Sequence, residues 1–409
     1  VASFQDARSG RWQIAAVVLL PRSIMSNRTA RQALPSPRIT ATRITRPISR
    51  RLRQLLVAAV SMSAVAGTWL LVLPAILLTG CTTVPSEEPA VAVEEFHVPA
   101  RAAGIELFVR NKRLKGTETF PSGRIVLFVH GSTFPSESTF DLSLDGMSWM
   151  DFIARAGYDV YLVDVRGYGG STRPDAMSEP PDRNPPVATL AEAVDDVDAV
   201  VNFILNRRDV ERINLIGWSW GTVVMGRYAA THGDKVDRLV LYAPVWQRKT
   251  ESLAARGANV KTAYRLVNVA AVKSRWLAGV APDKQEQLIP RGWFETWVAA
   301  TLATDPWGSK QTPPVIRAPN GAFGGTRPPG DWVPPYDPAD IKAPTLLVRG
   351  EWDADAPAYM AQTLFPLLVN APAKQYVEIG EGTHSIMLER NRMQMFRAVQ
   401  SFLDGPKNW

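Results

Sequence analysis

Cysteine is almost missing from this chain. Cys81 is the only one in 409 residues, so no internal disulfide can close a loop and a disulfide-stapled fold is excluded. Histidine is nearly as rare, with four: His97, His130, His232 and His384. No His-Glu-x-x-His and no Cys/His cluster of metal-binding spacing occurs, so no metal is expected. No Gly-x-Gly-x-x-Gly follows a first strand, and no organic cofactor is expected either. Repeats of solenoid length are absent. So are basic patches with interleaved aromatics, and nucleic acid is not an expected partner. The formal charge of +7 points the other way until its distribution is read. Residues 1–53 hold eleven arginines against one acid, Asp6, while the remainder holds 35 basic and 38 acidic residues. The basicity belongs to a leader, and the body is slightly acidic.

After Arg53 the leader loses all charge over residues 54–80, QLLVAAVSMSAVAGTWLLVLPAILLTG. Arginines followed by an apolar run have the order of an export signal. Met25 is an alternative start for it. The run ends in Leu78-Thr79-Gly80-Cys81, which resembles the lipobox of bacterial lipoproteins, where the cysteine is lipidated and becomes the mature N-terminus. A sole cysteine at that position strengthens the resemblance. The competing expectation is an uncleaved anchor helix, since the stretch is long enough to span a bilayer, though Pro74 interrupts it. Either arrangement keeps the arginines inside and places the body outside the cytoplasm, held at a membrane. Residues 81–103, rich in Pro, Glu and Val, read as an extended tether.

Beyond the tether, short apolar strands alternate with amphipathic helices. Strands are expected at 104–110, 124–129, 158–163, 213–216, 238–242, 345–348 and 375–379. Helices are expected at 149–156, 190–205, from 222 onward, and 390–403. This rhythm predicts an α/β fold, with a mostly parallel central sheet covered by helices on both faces. It breaks between 246 and 335, where six tryptophans (246, 276, 293, 297, 307 and 332) sit among Pro- and Gly-rich runs. That segment reads as an inserted cap between two core pieces, 104–245 and 336–409. Most of its tryptophans are expected to form the cap's own small core, with one or two facing a pocket.

Chemistry enters at Gly217-Trp218-Ser219-Trp220-Gly221, which joins an apolar strand to a helix. A turn this sharp strains its central residue and thrusts Ser219 Oγ outward at a helix N-terminus. Gly217 and Gly221 let strand and helix approach without a β-carbon between them. The bland alternative is a tight turn whose serine only caps the helix. A nucleophilic serine needs a base. His97 lies in the tether, His232 ends the helix that Ser219 begins, and His130 closes an early strand. His384 lies in a Gly-flanked loop, IGEGTHS, and is the base by elimination. For the orienting acid, the loop RGEWDADAP offers Asp353 first, with Asp355 and Glu351 as competitors. Trp220 is expected to wall the pocket and Trp218 to pack under the end of the sheet.

From about residue 104 to 404 the chain resembles the α/β-hydrolase superfamily. The resemblance rests on five pieces in order: His130-Gly131, DVRGYGGS, the GWSWG elbow, GEWDADAP and GEGTH. It implies a Ser219–Asp353–His384 triad. It also implies an oxyanion hole made by the backbone N–H groups of Trp220 and Ser132, with Thr133 as a substitute for the latter, and a structural His130 holding that loop. The expected function is a serine hydrolase cleaving a small apolar or aromatic carboxylic ester through an acyl-enzyme. Amide, lactone or thioester hydrolysis and acyl transfer would use the same triad. A non-catalytic surface binding protein on the same fold is the rival of a different class.

Overall fold

The computed structural model describes residues 90–247, 260–323 and 332–406. The leader, Cys81 and the start of the tether lie outside them. Eight strands form one sheet: β1 Val91–Pro99, β2 Glu106–Leu114, β3 Ile125–Val129, β4 Asp159–Val163, β5 Ile213–Trp218, β6 Val236–Tyr242, β9 Thr345–Gly350 and β10 Lys374–Ile379. Their spatial order is β1-β2-β4-β3-β5-β6-β9-β10. β1 and β2 are antiparallel to their neighbours, and every other pairing is parallel.

The apolar runs explain this arrangement. β3, β4, β5 and β9 are buried along their whole length, and β6 at all but one residue. A strand with no polar face must be covered on both sides, which a sheet achieves by parallel crossovers that lay helices on each face. Helices Leu190–Arg208 and Trp220–Thr231 pack together as one cover. Trp149–Arg155 and Arg392–Leu403 form the other, where Trp149 stacks on Phe396 at 5.1 Å. Among the described residues no helix is long and apolar enough to cross a membrane.

The first correction concerns the tether. From Val91 to Pro99 the chain is not a tether but the edge strand β1, paired residue by residue with β2 from Val91↔Leu114 to Pro99↔Glu106. His97 therefore stands on a strand, its ring 6.0 Å from Phe108. Pro and Glu suggest extended, solvated chain, and an edge strand is just that on its outer side. Its inner residues have partners. Phe96 packs on Phe203 at 5.2 Å, and Glu94 bonds Arg113 at 2.7 Å and Arg207 at 2.5 Å.

Between β6 and β9 the insert contributes a two-stranded antiparallel ribbon, β7 Tyr264–Val267 with β8 Ile316–Pro319. It also contributes the helices Lys273–Trp276, Pro282–Leu288 and Trp293–Ala303. Trp276 and Trp297 meet edge to face at 5.3 Å, with Phe294 against both, and Phe134 of the main body joins them on Trp297 at 4.8 Å. Trp246 packs instead on Trp332 and Tyr336.

Because β1 ties β2 to helix Leu190–Arg208, its loss should be felt globally. A chain beginning at Ala90 is expected to melt like one beginning at Thr82. One beginning at Ile105 should melt several degrees lower, since it loses the half-buried Phe96 contact, the Glu94 ion pairs and one ladder of the sheet. Thermal unfolding followed by circular dichroism checks this.

Candidate active site

The site is built around one residue with an unusual backbone. Ser219 sits at φ 55°, ψ −120°, between the last residue of β5 and the first of helix Trp220–Thr231. A non-glycine residue there costs on the order of 1–3 kcal/mol and persists only when its surroundings hold it. They do so on both sides. Ser219 N–H donates to the Tyr242 carbonyl at 2.9 Å, and its own carbonyl accepts from Thr222 N–H at 2.9 Å and Thr222 Oγ1 at 2.6 Å. The two flanking glycines are required by space. A β-carbon on Gly217 would lie 2.3 Å from the Gly221 carbonyl oxygen, and one on Gly221 would lie 2.5 Å from that of Val129. The serine side chain makes no cap bond to its helix. Its hydroxyl bonds His384 Nε2 instead, at 2.8 Å.

His384 Nδ1 faces both oxygens of Asp353 at 2.9 Å. Asp353 is almost fully buried, and its Oδ1 also accepts the backbone N–H groups of Asp355 and Ala356 at 3.0 and 2.7 Å. The three candidate acids thus separate. Asp355 pairs with Arg275 at 3.0 Å, and Glu351 accepts from the Glu381 N–H at 3.0 Å. Only Asp353 bonds His384. Burial of the imidazole works against its charged form. The Asp353 carboxylate outweighs burial, with a smaller push from Asp355, and holds the pKa above its usual 6.5.

His130 is fully buried and stands apart from Ser219's hydrogen bonds. Burial pushes its pKa down to about 4, so the ring is neutral near neutral pH. Val165 N–H donates to Nε2 at 3.2 Å, which leaves the proton on Nδ1, and Nδ1 donates to the Gly131 carbonyl at 2.7 Å. That carbonyl belongs to the same peptide as the Ser132 N–H. The neighbouring Ser132 carbonyl accepts from Tyr168 Oη at 2.9 Å and from Arg265 Nη2 at 2.8 Å. The loop 131–133 is therefore oriented from both faces. Trp220 is the first residue of its helix, where a backbone N–H has no intrahelical acceptor. His232 caps the far end of that helix, stacked on Tyr228 at 4.5 Å.

Both tryptophans are buried in the core, and the part of pocket wall expected of Trp220 falls to Trp218, which also packs on Tyr242 at the end of the sheet as expected. Trp218, not Trp220, lines the cavity over Ser219. Its indole N–H donates to the His384 carbonyl at 2.9 Å, and its ring lies 5.3 Å from the imidazole. Trp220 is buried in the hydrophobic core. The turn at Ser219 directs the preceding side chain toward the histidine loop and carries the following one, as the first helical residue, inward.

Several residues escape motif reading because each comes from a different element. Tyr242, at the end of β6, donates its hydroxyl to the same His384 carbonyl at 2.8 Å. Glu389 is fully buried. It accepts from Trp276 Nε1 of the insert at 2.7 Å and from Thr383 N–H at 3.1 Å, and Thr383 Oγ1 bonds it too. Arg265 and Arg275 enter the cavity from the insert. Among the described residues no group of His, Cys, Asp and Glu is placed to hold a metal.

Residues 124–390 match the family model described as alpha/beta hydrolase fold. The chain belongs to this family. A 116-residue segment is 34% identical to epoxide hydrolase A of Mycobacterium tuberculosis, covering 28% of this chain and 30% of that protein. A 136-residue segment is 26% identical to epoxide hydrolase 2 of Caenorhabditis elegans, covering 32% of each. The chain thus matches about a third of the length of these relatives. Two solved structures superpose at TM-score 0.52. One is a serine hydrolase from Cycloclasticus zankles, 16% identical and covering 77% of this chain and 99% of that one. The other is 2-hydroxy-6-oxo-6-phenylhexa-2,4-dienoate hydrolase from Rhodococcus sp., 14% identical and covering 77% and 100%. These last two are likenesses of fold.

Glu389 has a consequence for stability. Burial raises its pKa from 4.5 to about 7, against the lowering pull of the Thr383 and Trp276 hydrogen bonds. Between those values the folded chain holds a proton that the unfolded chain releases, so this residue's contribution falls as pH rises from about 4.5 to 7. Glu389→Gln is expected to gain roughly 1–3 kcal/mol relative to the parent between pH 5 and pH 8. Denaturant melts of both proteins at the two pH values check the sign.

Proposed function

We propose that the protein is a serine hydrolase that cleaves carboxylic esters through an acyl-enzyme. The observation that carries this reading is the unbroken chain from Ser219 Oγ through His384 to Asp353, with bonds of 2.8 and 2.9 Å. Ser219 Oγ attacks the acyl carbon while His384 Nε2 takes its proton. The carbonyl oxygen, now negative, accepts from the backbone N–H groups of Trp220 and Ser132, with Thr133 N–H beside them. Losing one such donor typically costs about 2.7–4 kcal/mol. His384 then passes the proton to the leaving alcohol, the C–O bond breaks, and the acyl group remains on Ser219. Water, deprotonated by His384, repeats the attack and releases the acid.

A serine at position 219 favours acyl chemistry over epoxide opening. Attack of a serine oxygen on an epoxide yields an ether, which has no carbonyl through which water could free the enzyme. His130 and Gly131 serve this reading as scaffold, by orienting the peptide that carries Ser132 N–H. The same reading includes a lipid anchor on Cys81, with the catalytic body outside the cytoplasm. Small esters are the expected substrate class.

A fluorophosphonate probe is expected to label the protein on Ser219 alone, located by peptide mass spectrometry. Ser219→Ala and His384→Ala should each abolish labelling. A folded protein that takes no label would overturn the hydrolase reading.

The pH dependence tests the Asp353–His384 bond. His384 must be neutral to act as base, and its pKa is held above 6.5. The acid limb of kcat/KM on an ester is therefore expected above pH 6.5. In Asp353→Asn burial is opposed only by the smaller push from Asp355. The limb should move to lower pH while the maximal rate drops by about 10³–10⁴. A limb that stays in place would break the assignment.

A further inference from the structure

Two arginines from the insert reach the cavity over Ser219, and they differ in one respect. Arg275 is neutralised by Asp355, with Nη2 at 3.0 Å and Nε at 3.2 Å from its carboxylate. Arg265, on β7, has no such partner among the described residues. Its Nη1 donates to the Pro319 carbonyl at 2.8 Å and to Asn320 Oδ1 at 3.1 Å. Its Nη2 donates to the Ser132 carbonyl and the Thr133 hydroxyl, both at 2.8 Å. Its guanidinium lies 4.7 Å over the Phe323 ring. Every one of these groups is neutral, and none of the bonds uses Nε–H.

Hydrogen bonds to carbonyls satisfy donors but leave the charge in place. Arginine does not escape by losing its proton. A cation in a partly dehydrated cavity therefore holds a positive potential there, felt far more strongly than in water. The acids nearby are already committed, Asp355 to Arg275 and Asp353 to His384. A neutral ester would leave that potential unanswered, whereas an anionic group on the substrate would answer it. Placement narrows the choice further. Arg265 grips the carbonyl of Ser132 and the hydroxyl of Thr133, in the loop that flanks the reacting carbonyl. The anion would therefore lie only a few bonds from the scissile ester.

Resting on the hydrolase reading above, we propose that Arg265 is the specificity residue for a carboxylate carried by the substrate. On this proposal the preferred substrates are short half-esters of dicarboxylic acids rather than neutral esters. The chemistry is unchanged: the acyl C–O bond breaks as before, and the second carboxylate stays ionised throughout.

The test compares mono-4-nitrophenyl succinate and glutarate with their methyl-capped neutral counterparts, using the intact protein. At least one free acid should show a kcat/KM tenfold or more above its capped partner, carried mainly by KM. That ratio should shrink with added salt. Arg265→Gln should bring the ratio to about one, and Arg265→Lys should keep part of it. Free glutarate should inhibit the parent protein competitively and dimethyl glutarate, which carries no charge, more weakly, which holds the test on the unaltered chain if the variants misfold. A ratio of one or less in the parent protein overturns the proposal. So does an Arg265→Gln variant that loses both members of each pair equally, which would make Arg265 a strut for the loop 131–133. In either case labelling of Ser219 and turnover of neutral esters leave the hydrolase reading standing. No label and no turnover of any ester would remove both.

Discussion

At Ser219 the chain turns from strand to helix within a single residue, and the geometry of that turn organises everything around it. The close approach of β5 to its following helix leaves no room for a β-carbon on Gly217 or Gly221. It places Ser219 in a backbone conformation that only its neighbours can hold. Those neighbours are the Tyr242 carbonyl on β6 and Thr222 on the helix itself. The parallel sheet therefore does more than form a core. It supplies the strand ends from which Ser219, Tyr242 and, through the following loops, Asp353 and His384 converge. The strain at one serine is sustained by the burial of five strands, whose apolar runs need that sheet in any case.

Around the turn, charge is allotted by burial and by partner. Two histidines close in space to the serine's loop behave oppositely. His130, buried without an acid, is neutral, and its proton is assigned by what its other nitrogen accepts. His384, less deeply buried and facing Asp353, has its charged form favoured. The two environments suit two tasks, holding a peptide and moving a proton. The carbonyl of His384 is fixed by Trp218 and Tyr242, so the ring is located by its backbone as well as by its acid.

The insert is not a passive cover. Trp276 binds Glu389 behind the histidine loop, Phe134 of the main body packs into the insert's tryptophan cluster, and Arg265 holds the Ser132 carbonyl. The proposed base and the proposed oxyanion loop are thus each tied to the segment that borders the cavity. On the proposed hydrolase reading, substitutions in the insert are positioned to alter reactivity as well as selectivity, because they act on His384 and the loop 131–133 through one intervening residue.

The sequence by itself determined the alternation of strand and helix, the elbow with its two glycines, and the order Ser219, Asp353, His384. These are local or periodic signals: an apolar run, a tight turn, a loop after a strand. It left Asp353 in competition with Asp355 and Glu351, because three acids within five residues differ only in where the loop points them. It misread β1, whose half-exposed edge has the composition of a solvated linker, and it gave the cavity wall to Trp220 rather than Trp218, a choice that depends on the direction of one turn. Tyr242, Glu389 and Arg265 carry no motif at all. Tyr242 meets the His384 carbonyl across 142 residues of chain, Arg265 meets that of Ser132 across 133 and Glu389 meets Trp276 across 113, so only the tertiary structure decided their place. Periodicity reports what a segment buries, while the partner of a lone polar side chain is set by how the segments pack.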